Sequence, residues 1–104
     1  MNNTNNRGDI MKTIKKVSVR NMTSNSSGRE VPNQFIIYTP EGEYFQSYNT
    51  IIAARISGKR YLDTGKWDYS TTTGKYRNQF LGETKKETQK KIDSGEYKLT
   101  NLNQ

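Results

Sequence analysis

The chain contains neither cysteine nor histidine among its 104 residues. Without cysteine there is no disulfide, no thiolate metal site and no cysteine nucleophile. Without histidine the commonest general base and the commonest transition-metal ligand are both missing. The ten acidic residues lie scattered among seventeen basic ones and do not indicate a paired-carboxylate site. The sequence therefore predicts a binding protein without catalytic residues, metal or cofactor, and not an enzyme.

Large apolar residues are scarce, since the chain has only 4 Leu, 8 Ile, 3 Val and 3 Phe. Combined with a net charge of +7, this composition approaches that of disordered proteins. Seven tyrosines and one tryptophan, concentrated between Phe35 and Phe80, offset the deficit. Each aromatic side chain can bury about 150–250 Å². We therefore predict one folded domain with a thin, tyrosine-rich core, which favours a homodimer or folding stabilised by a partner.

Long apolar runs are also absent. No segment approaches the roughly 18–20 apolar residues that a membrane-spanning helix needs, and the N-terminus lacks the apolar stretch of a signal peptide. These absences predict a cytoplasmic protein that does not contact a membrane.

The first ten residues have two interpretations. Residues 1–6 are polar and of low complexity. Residues 7–11, Arg-Gly-Asp-Ile-Met, can be encoded by a purine-rich ribosome-binding site followed by a start codon. In that case Met11 is the natural start and residues 1–10 are an upstream in-frame extension. The alternative is an ordinary disordered tail. Either interpretation leaves residues 11–104 as a single domain.

Turn residues and period-two alternation predict an antiparallel meander in the first two thirds of the chain. Strands are expected over residues 12–22, 34–39, 44–48, 51–56 and around 61–62, separated by a loop at 23–28 and turns at 40–43 and 57–59. Residues 34–39 are apolar on both faces, which favours an interior position in the sheet. Residues 51–56 also tolerate a helix, but their short length and the Ser-Gly-Lys that follows favour a strand.

Two short helices are predicted in the last third of the chain. Asp68 or Ser70 can cap the first helix, and Gly82 stands where a left-handed residue ends it. The second helix opens at residues 84–87, Thr-Lys-Lys-Glu, which form a capping-box pattern. It runs to about Ser94 and has a single large apolar residue, Ile92, so it must lie on the surface.

Residues 97–102 alternate and predict a last strand, which could pair beside the N-terminal strand. The predicted fold class is therefore α+β, with a mainly antiparallel sheet of five to six strands and two short C-terminal helices.

Four segments of the chain resemble members of an uncharacterised family of small proteins. These segments are Val31–Ile37, Tyr44–Tyr48, Trp67–Thr73 and Tyr76–Gly82. The resemblance runs from about Met11 to the end of the chain and is most specific at the Tyr-Ser-x-Thr-Thr motif, residues 69–73. Members of this family are encoded mostly by phages and other mobile elements of bacteria. The resemblance implies a bacterial host-cell cytoplasm and an accessory role, and it assigns no activity to any residue.

The start of the first predicted helix is a candidate anion site. A helix N-terminus has unpaired N–H groups and a partial positive charge, and the hydroxyls of Ser70, Thr72 and Thr73 could join them. Lys75 and Arg77 would add charge. The alternative is plain helix capping with exposed threonines, since every helix needs a cap.

The C-terminal half is the more basic half of the chain. Residues 53–104 contain eleven Lys or Arg against six Asp or Glu, a net charge of +5, whereas residues 1–52 contain six against four, a net charge of +2. Lysines recur along the second predicted helix at Lys85, Lys86, Lys90 and Lys91. Such a surface attracts phosphate backbones. The alternative is a solvated helix face that keeps the protein soluble.

Trp67 and Tyr69 lie in an irregular, glycine-containing stretch beside basic residues. Exposed rings can stack on unpaired bases, and the same residue types form hot spots in protein interfaces. The leading hypothesis is a small basic accessory protein that binds the DNA or RNA backbone through the lysines, Arg77, Trp67 and Tyr69. The alternative is an accessory protein that binds and inhibits a host protein through the Trp67–Arg77 surface.

Overall fold

Six strands form one sheet in the computed structural model, which describes residues 16–104. The elements are β1 (Ser18–Thr23), β2 (Glu30–Tyr38), β3 (Gly42–Ser47), β4 (Thr50–Ile56), β5 (Lys59–Asp63), α1 (Thr71–Leu81), α2 (Lys85–Asp93) and β6 (Lys98–Thr100). The spatial order of the strands is their order in the sequence. The predicted α+β class and the predicted meander are therefore confirmed. The possible extension 1–10 and the first residues of the strand predicted over 12–22 lie outside the described residues.

Short turns join the strands of the meander. Two residues, Ser57 and Gly58, connect β4 to β5, and both have positive φ, at 53° and 77°. Positive φ at both positions gives a hairpin turn whose twist matches that of the strands. Asn33 also has positive φ, at 67°, within β2, where its carbonyl accepts a hydrogen bond from the N–H of Tyr48 at 2.7 Å.

Both helices begin and end as the sequence predicts. The hydroxyl of Ser70 accepts a hydrogen bond from the N–H of Thr73, so Ser70 is the N-cap of α1. Gly82 has the left-handed φ of 72° at the C-terminal end. Thr84 and Glu87 form the complete capping box of α2, in which each side chain bonds the other residue's backbone.

The helices lie against one face of the sheet. The rings of Phe45 and Phe80 stack with their centroids 5.9 Å apart. Arg55 on β4 donates from Nη1 to the carbonyl of Phe80 at 2.7 Å, and it also pairs with Glu43 on the neighbouring strand. The buried core consists of Met22, Phe45, Ile52, Ala53, Leu62, Tyr76, Phe80 and Tyr97. The helix α2 joins this core through the fully buried Thr88 and the partly buried Ile92.

The position predicted for the last strand is wrong. The strand β6 pairs with β5 in parallel, at the opposite edge of the sheet from β1. The helices cross over the sheet and return the chain in the direction of β5, which a parallel neighbour requires. The buried carboxylate of Asp63 then fixes the segment, because its Oδ1 accepts hydrogen bonds from the N–H of Leu102 at 2.9 Å and from Nδ2 of Asn103 at 3.0 Å.

Within residues 16–104, neither helix is long enough or apolar enough to cross a membrane.

Candidate functional site

A polar groove of about 660 Å³ lies where the loop before α1 meets the start of α2. Most of the groove is lined by α1 and the residues just before it. The lining residues are Asn25, Asp68, Ser70, Thr71, Gly74, Lys75, Arg77, Asn78, Gln79 and Lys85. The structure thus brings four of the predicted site residues together around one groove.

Arg77 is buried at this groove, with 1 % of its surface exposed. Its Nη1 donates to the carbonyl of Trp67 at 2.8 Å, and Nη2 donates to Oδ1 of Asn78 at 2.9 Å. Its Cζ lies 5.1 Å from the centroid of the Trp67 ring, and Oδ1 of Asp68 lies 3.5 Å from Nη1. Burial lowers the pKa of Arg77, and Asp68 partly offsets the effect. The guanidinium therefore holds the loop before α1 against the helix and presents almost no surface to a ligand.

The three hydroxyls of the predicted anion site are in different environments. Thr73 is fully buried, and its hydroxyl lies 2.9 Å from that of Ser47 on β3. The Ser70 hydroxyl already accepts the N–H of Thr73 at 3.2 Å. Thr72 is exposed. Capping and packing thus account for Ser70 and Thr73, which leaves Thr72 as the hydroxyl that faces solvent.

The two predicted stacking residues also differ. Trp67 is partly buried and packs against the core. Tyr69 is 60 % exposed, and the Nζ of Lys66 lies 4.5 Å from its ring centroid. A ring that packs against the core offers little face to a base, so Tyr69 is the better stacking platform.

Tyr48 is an exposed aromatic residue that the sequence analysis did not assign to a site. It is 50 % exposed and, with Tyr69, lines a shallow hollow of about 430 Å³. The sequence placed it at the end of a strand, where alternation would decide its direction. In the structure, Tyr48 and Asn49 form the two-residue turn between β3 and β4, and Tyr48 has a positive φ of 56°. Asn49, a residue type that favours turns, is the sequence signal for this turn.

Two of the four lysines on α2 form ion pairs. The Nζ of Lys85 lies 2.7 Å from Oδ2 of Asp68, and this hydrogen bond is the main cause of the lowered pKa of Asp68. Lys85 is 57 % exposed, and exposed pairs contribute only about 0–1 kcal/mol. The Nζ of Lys91 lies 2.8 Å from Oε1 of Glu83, and this bond raises the pKa of Lys91.

Three of the predicted lysines remain available to a ligand. Lys75, Lys86 and Lys90 are exposed, and none of them forms a salt bridge with any residue in the described range 16–104. Lys86 and Lys90 are four residues apart, so they lie one turn apart on the same side of α2. Lys75 and Lys85 border the same groove. We call Tyr69, Lys75, Lys85, Lys86 and Lys90 the lysine surface.

A family of unknown function (DUF8033) matches residues 17–96, which include every strand except β6 and the whole lysine surface. No curated protein matches the chain. No solved structure matches it either.

Proposed function

The chain belongs to the family of unknown function DUF8033, and we propose that it binds nucleic acid as an accessory protein of a phage or mobile element. It acts in the bacterial host cytoplasm and contacts the DNA or RNA backbone through the lysine surface, with little dependence on base sequence. The observation that carries this proposal is the set of three exposed lysines, Lys75, Lys86 and Lys90, without ion pairs among the described residues.

Electrostatics supports phosphate binding by these lysines over the alternative that they only keep the protein soluble. An exposed lysine that forms no ion pair can contact a phosphate without first breaking a salt bridge. The contact releases counterions that were condensed on the nucleic acid, and this release drives binding. Lys85 can join the other three lysines, because its exposed pair with Asp68 is weak enough for a phosphate to replace the carboxylate. The lysine surface thus offers four positive charges over two adjacent helix segments.

Tyr69 extends the lysine surface toward bases. Its ring is exposed beside Lys66, and an exposed ring that stacks on an unpaired base contributes about 1–3 kcal/mol. A strand whose phosphates lie along the lysines could place a base on this ring. We therefore propose that the protein prefers single strands to duplexes.

The test is fluorescence anisotropy with labelled single-stranded and double-stranded DNA and RNA at two salt concentrations. The informative variant carries Lys75→Gln, Lys86→Gln and Lys90→Gln together. We expect it to bind at least about tenfold more weakly than the wild type, because three phosphate contacts are lost.

A matched control removes the same number of charges elsewhere. Lys16→Gln, Arg20→Gln and Arg29→Gln change three exposed residues at the β1 end of the sheet. If the lysine surface is the site, this control binds within about threefold of the wild type, whereas attraction by overall charge alone weakens both triple variants equally. Equal weakening would contradict the proposed site, and no binding by the wild type would contradict the function.

A second candidate function is binding and inhibition of a host protein. It is favoured by the hollow that Tyr48 and Tyr69 line, because exposed tyrosines at a concave site are typical of protein hot spots. Under this alternative, Tyr48→Ala and Tyr69→Ala abolish capture of the partner, and the triple lysine variant retains it. Loss of nucleic-acid binding in the lysine variant, with binding by Tyr48→Ala unchanged, supports the first proposal.

A further inference from the structure

The sheet has a second face, opposite the helices. The side chains of Phe45, Ile36 and Leu62 point to the helices and pack in the core. Because side chains alternate along a strand, their neighbours point the other way. This second face, which we call the open face, carries Val17, Val19, Asn21, Phe35, Ile37, Tyr44, Gln46, Ala54, Ile56 and Tyr61. Apart from Ala54, none of these residues belongs to the buried core or packs against it.

The strand register aligns the open face into a continuous apolar row. Val19 lies opposite Ile37, which lies opposite Tyr44. Tyr44 lies opposite Ala54, which lies opposite Tyr61. Ala54 is fully buried although its side chain points away from the helices, because the two tyrosines flank it on both sides. The row therefore crosses five strands as one surface.

The open face is unusual in its lack of charge. None of its residues is Lys, Arg, Asp or Glu, although 26 % of the chain is charged. Two lysines share this side at its β5–β6 end, where Lys59 lies opposite Ile56 and Lys98 lies opposite Tyr61. Depletion of charge within a polar surface is the compositional mark of the centre of a protein interface. A nucleic-acid site would instead place cations among the rings.

Several of the few large apolar residues of the chain lie on this face. Five of its 18 Leu, Ile, Val and Phe residues are on the open face, and Val17 and Val19 are 59 % and 60 % exposed. Among residues 16–104, the side chain of Asn103 bonds the backbone of Ile51, which lies opposite Gln46 of the open face. Soluble monomers rarely leave contiguous apolar patches of more than a few hundred Å² uncovered.

The size of the open face suits a dimer. Five strands about 4.8 Å apart, with about six residues each at about 3.3 Å, give a face of roughly 480 Å². Two such faces together bury on the order of 1,000 Å², which is near the lower bound for a specific protein interface.

We propose that two copies of this chain associate through the open face, sheet against sheet, about a two-fold axis. An uncharged apolar surface is complementary to itself, so the two copies meet without bringing like charges together, although each carries +7. Aligned sheets pack about 10 Å apart with interdigitated side chains. Lys59 and Lys98 remain at the rim, and the helices remain on the two outer sides.

The test is sedimentation equilibrium of the whole chain over micromolar to submillimolar concentrations. We expect a reversible dimer for the wild type. Val19→Glu and Tyr44→Glu should each raise the dimer dissociation constant at least about tenfold, because a carboxylate would be buried without a partner. Each substitution lowers the positive net charge by one, so greater repulsion between copies cannot explain dissociation.

Tyr69→Glu is the matched control, because it makes the same charge change at an exposed tyrosine outside the open face, beside the turn between β3 and β4, and we expect its dimer to match that of the wild type. Circular dichroism checks that each variant is folded, and Val19 is exposed enough to tolerate the change. A wild type that is monomeric throughout would overturn the proposal. A dimer that survives both substitutions would also overturn it and would point to another surface, such as the outer edge of β1.

Discussion

The guanidinium of Arg77 is surrounded by oxygen acceptors from Trp67, Asp68 and Asn78 at the start of α1. Its pKa is lowered by burial, but an arginine stays charged in proteins, so these acceptors must compensate the lost hydration. The residue thus acts on the candidate site by positioning Trp67 and Tyr69 and not by touching a ligand.

Arg77→Met tests this structural role. We expect it to lower the free energy of unfolding by about 2–3 kcal/mol, because the carbonyl of Trp67 and the amide of Asn78 lose their donor. Lys75→Met is the control, and as an exposed substitution it should change stability by less than about 0.5 kcal/mol. Urea unfolding measures both. If Arg77→Met is as stable as the control yet loses nucleic-acid binding, Arg77 is a ligand contact after all.

For single residues, the sequence predicted the properties that depend on neighbouring residues better than the burial that depends on tertiary packing. It predicted the Ser70 cap and the exposure of Tyr69, because capping and exposure in an irregular segment depend on local sequence. The role of the lysines and Tyr69 in binding stays a prediction. It could not distinguish Arg77 from its basic neighbours, because the burial of Arg77 arises only when Trp67 and Asp68 of the preceding loop pack against the helix. The exposure of Tyr48 depends on a positive φ in a turn, which alternation alone does not reveal.

Among the elements, α2 depends on a polar cluster more than on apolar packing. The carboxylate of Glu83, just before this helix, accepts hydrogen bonds from Lys91 and from the hydroxyls of Thr88 and Tyr97. Burial alone raises the pKa of Glu83, but these hydrogen bonds outweigh it, and the net pKa is lowered. Burial and the bond to Glu83 raise the pKa of Tyr97. The cluster therefore ties the start of α2, its last turn and the approach to β6 together.

The lowered pKa of Glu83 makes the free energy of unfolding depend on pH in the acidic range. Its contribution is fully present above the unfolded-state pKa, about 4.3 for a glutamate, and is lost as the pH falls through the folded-state pKa. We expect Glu83→Gln to be less stable than the wild type at neutral pH, with the difference narrowing toward acidic pH. Thermal unfolding at a series of pH values measures this, with the exposed Glu96→Gln as the control. A difference that does not change with pH would contradict the proposed role of the charge.

The strands and helices were largely predictable from the sequence, but the place of β6 in the sheet was not. Caps, turns and alternation act over a few residues, so the meander and both helices followed from the sequence. The position of β6 depends on the crossover of the helices and on hydrogen bonds that the Asp63 carboxylate accepts from Leu102 and Asn103, 39 and 40 residues later. Likewise, β2 is apolar on both faces because one face meets the core and the other belongs to the open face. A sequence pattern does not show which element of the chain, or which partner, packs against each face of the strand.

At the scale of the whole molecule, the two proposed surfaces lie on opposite sides of the sheet. The ten residues of the open face are uncharged, and the lysines of the lysine surface lie on α1 and α2, the helices that cover the opposite face. A dimer formed through the open face would therefore carry two lysine surfaces on its outer sides, available to two segments of one strand. Binding to a long strand would then be tighter than binding to a short one, through effective concentration.

The most direct test of the proposed function is the slope of log Kd against log salt for a short single-stranded DNA. Each phosphate contact contributes about 0.7 to this slope for single strands. The slope for the Lys75→Gln, Lys86→Gln and Lys90→Gln variant should thus be smaller by about 2 than that of the wild type. The same slope in both proteins would contradict the assignment of these three lysines as phosphate contacts.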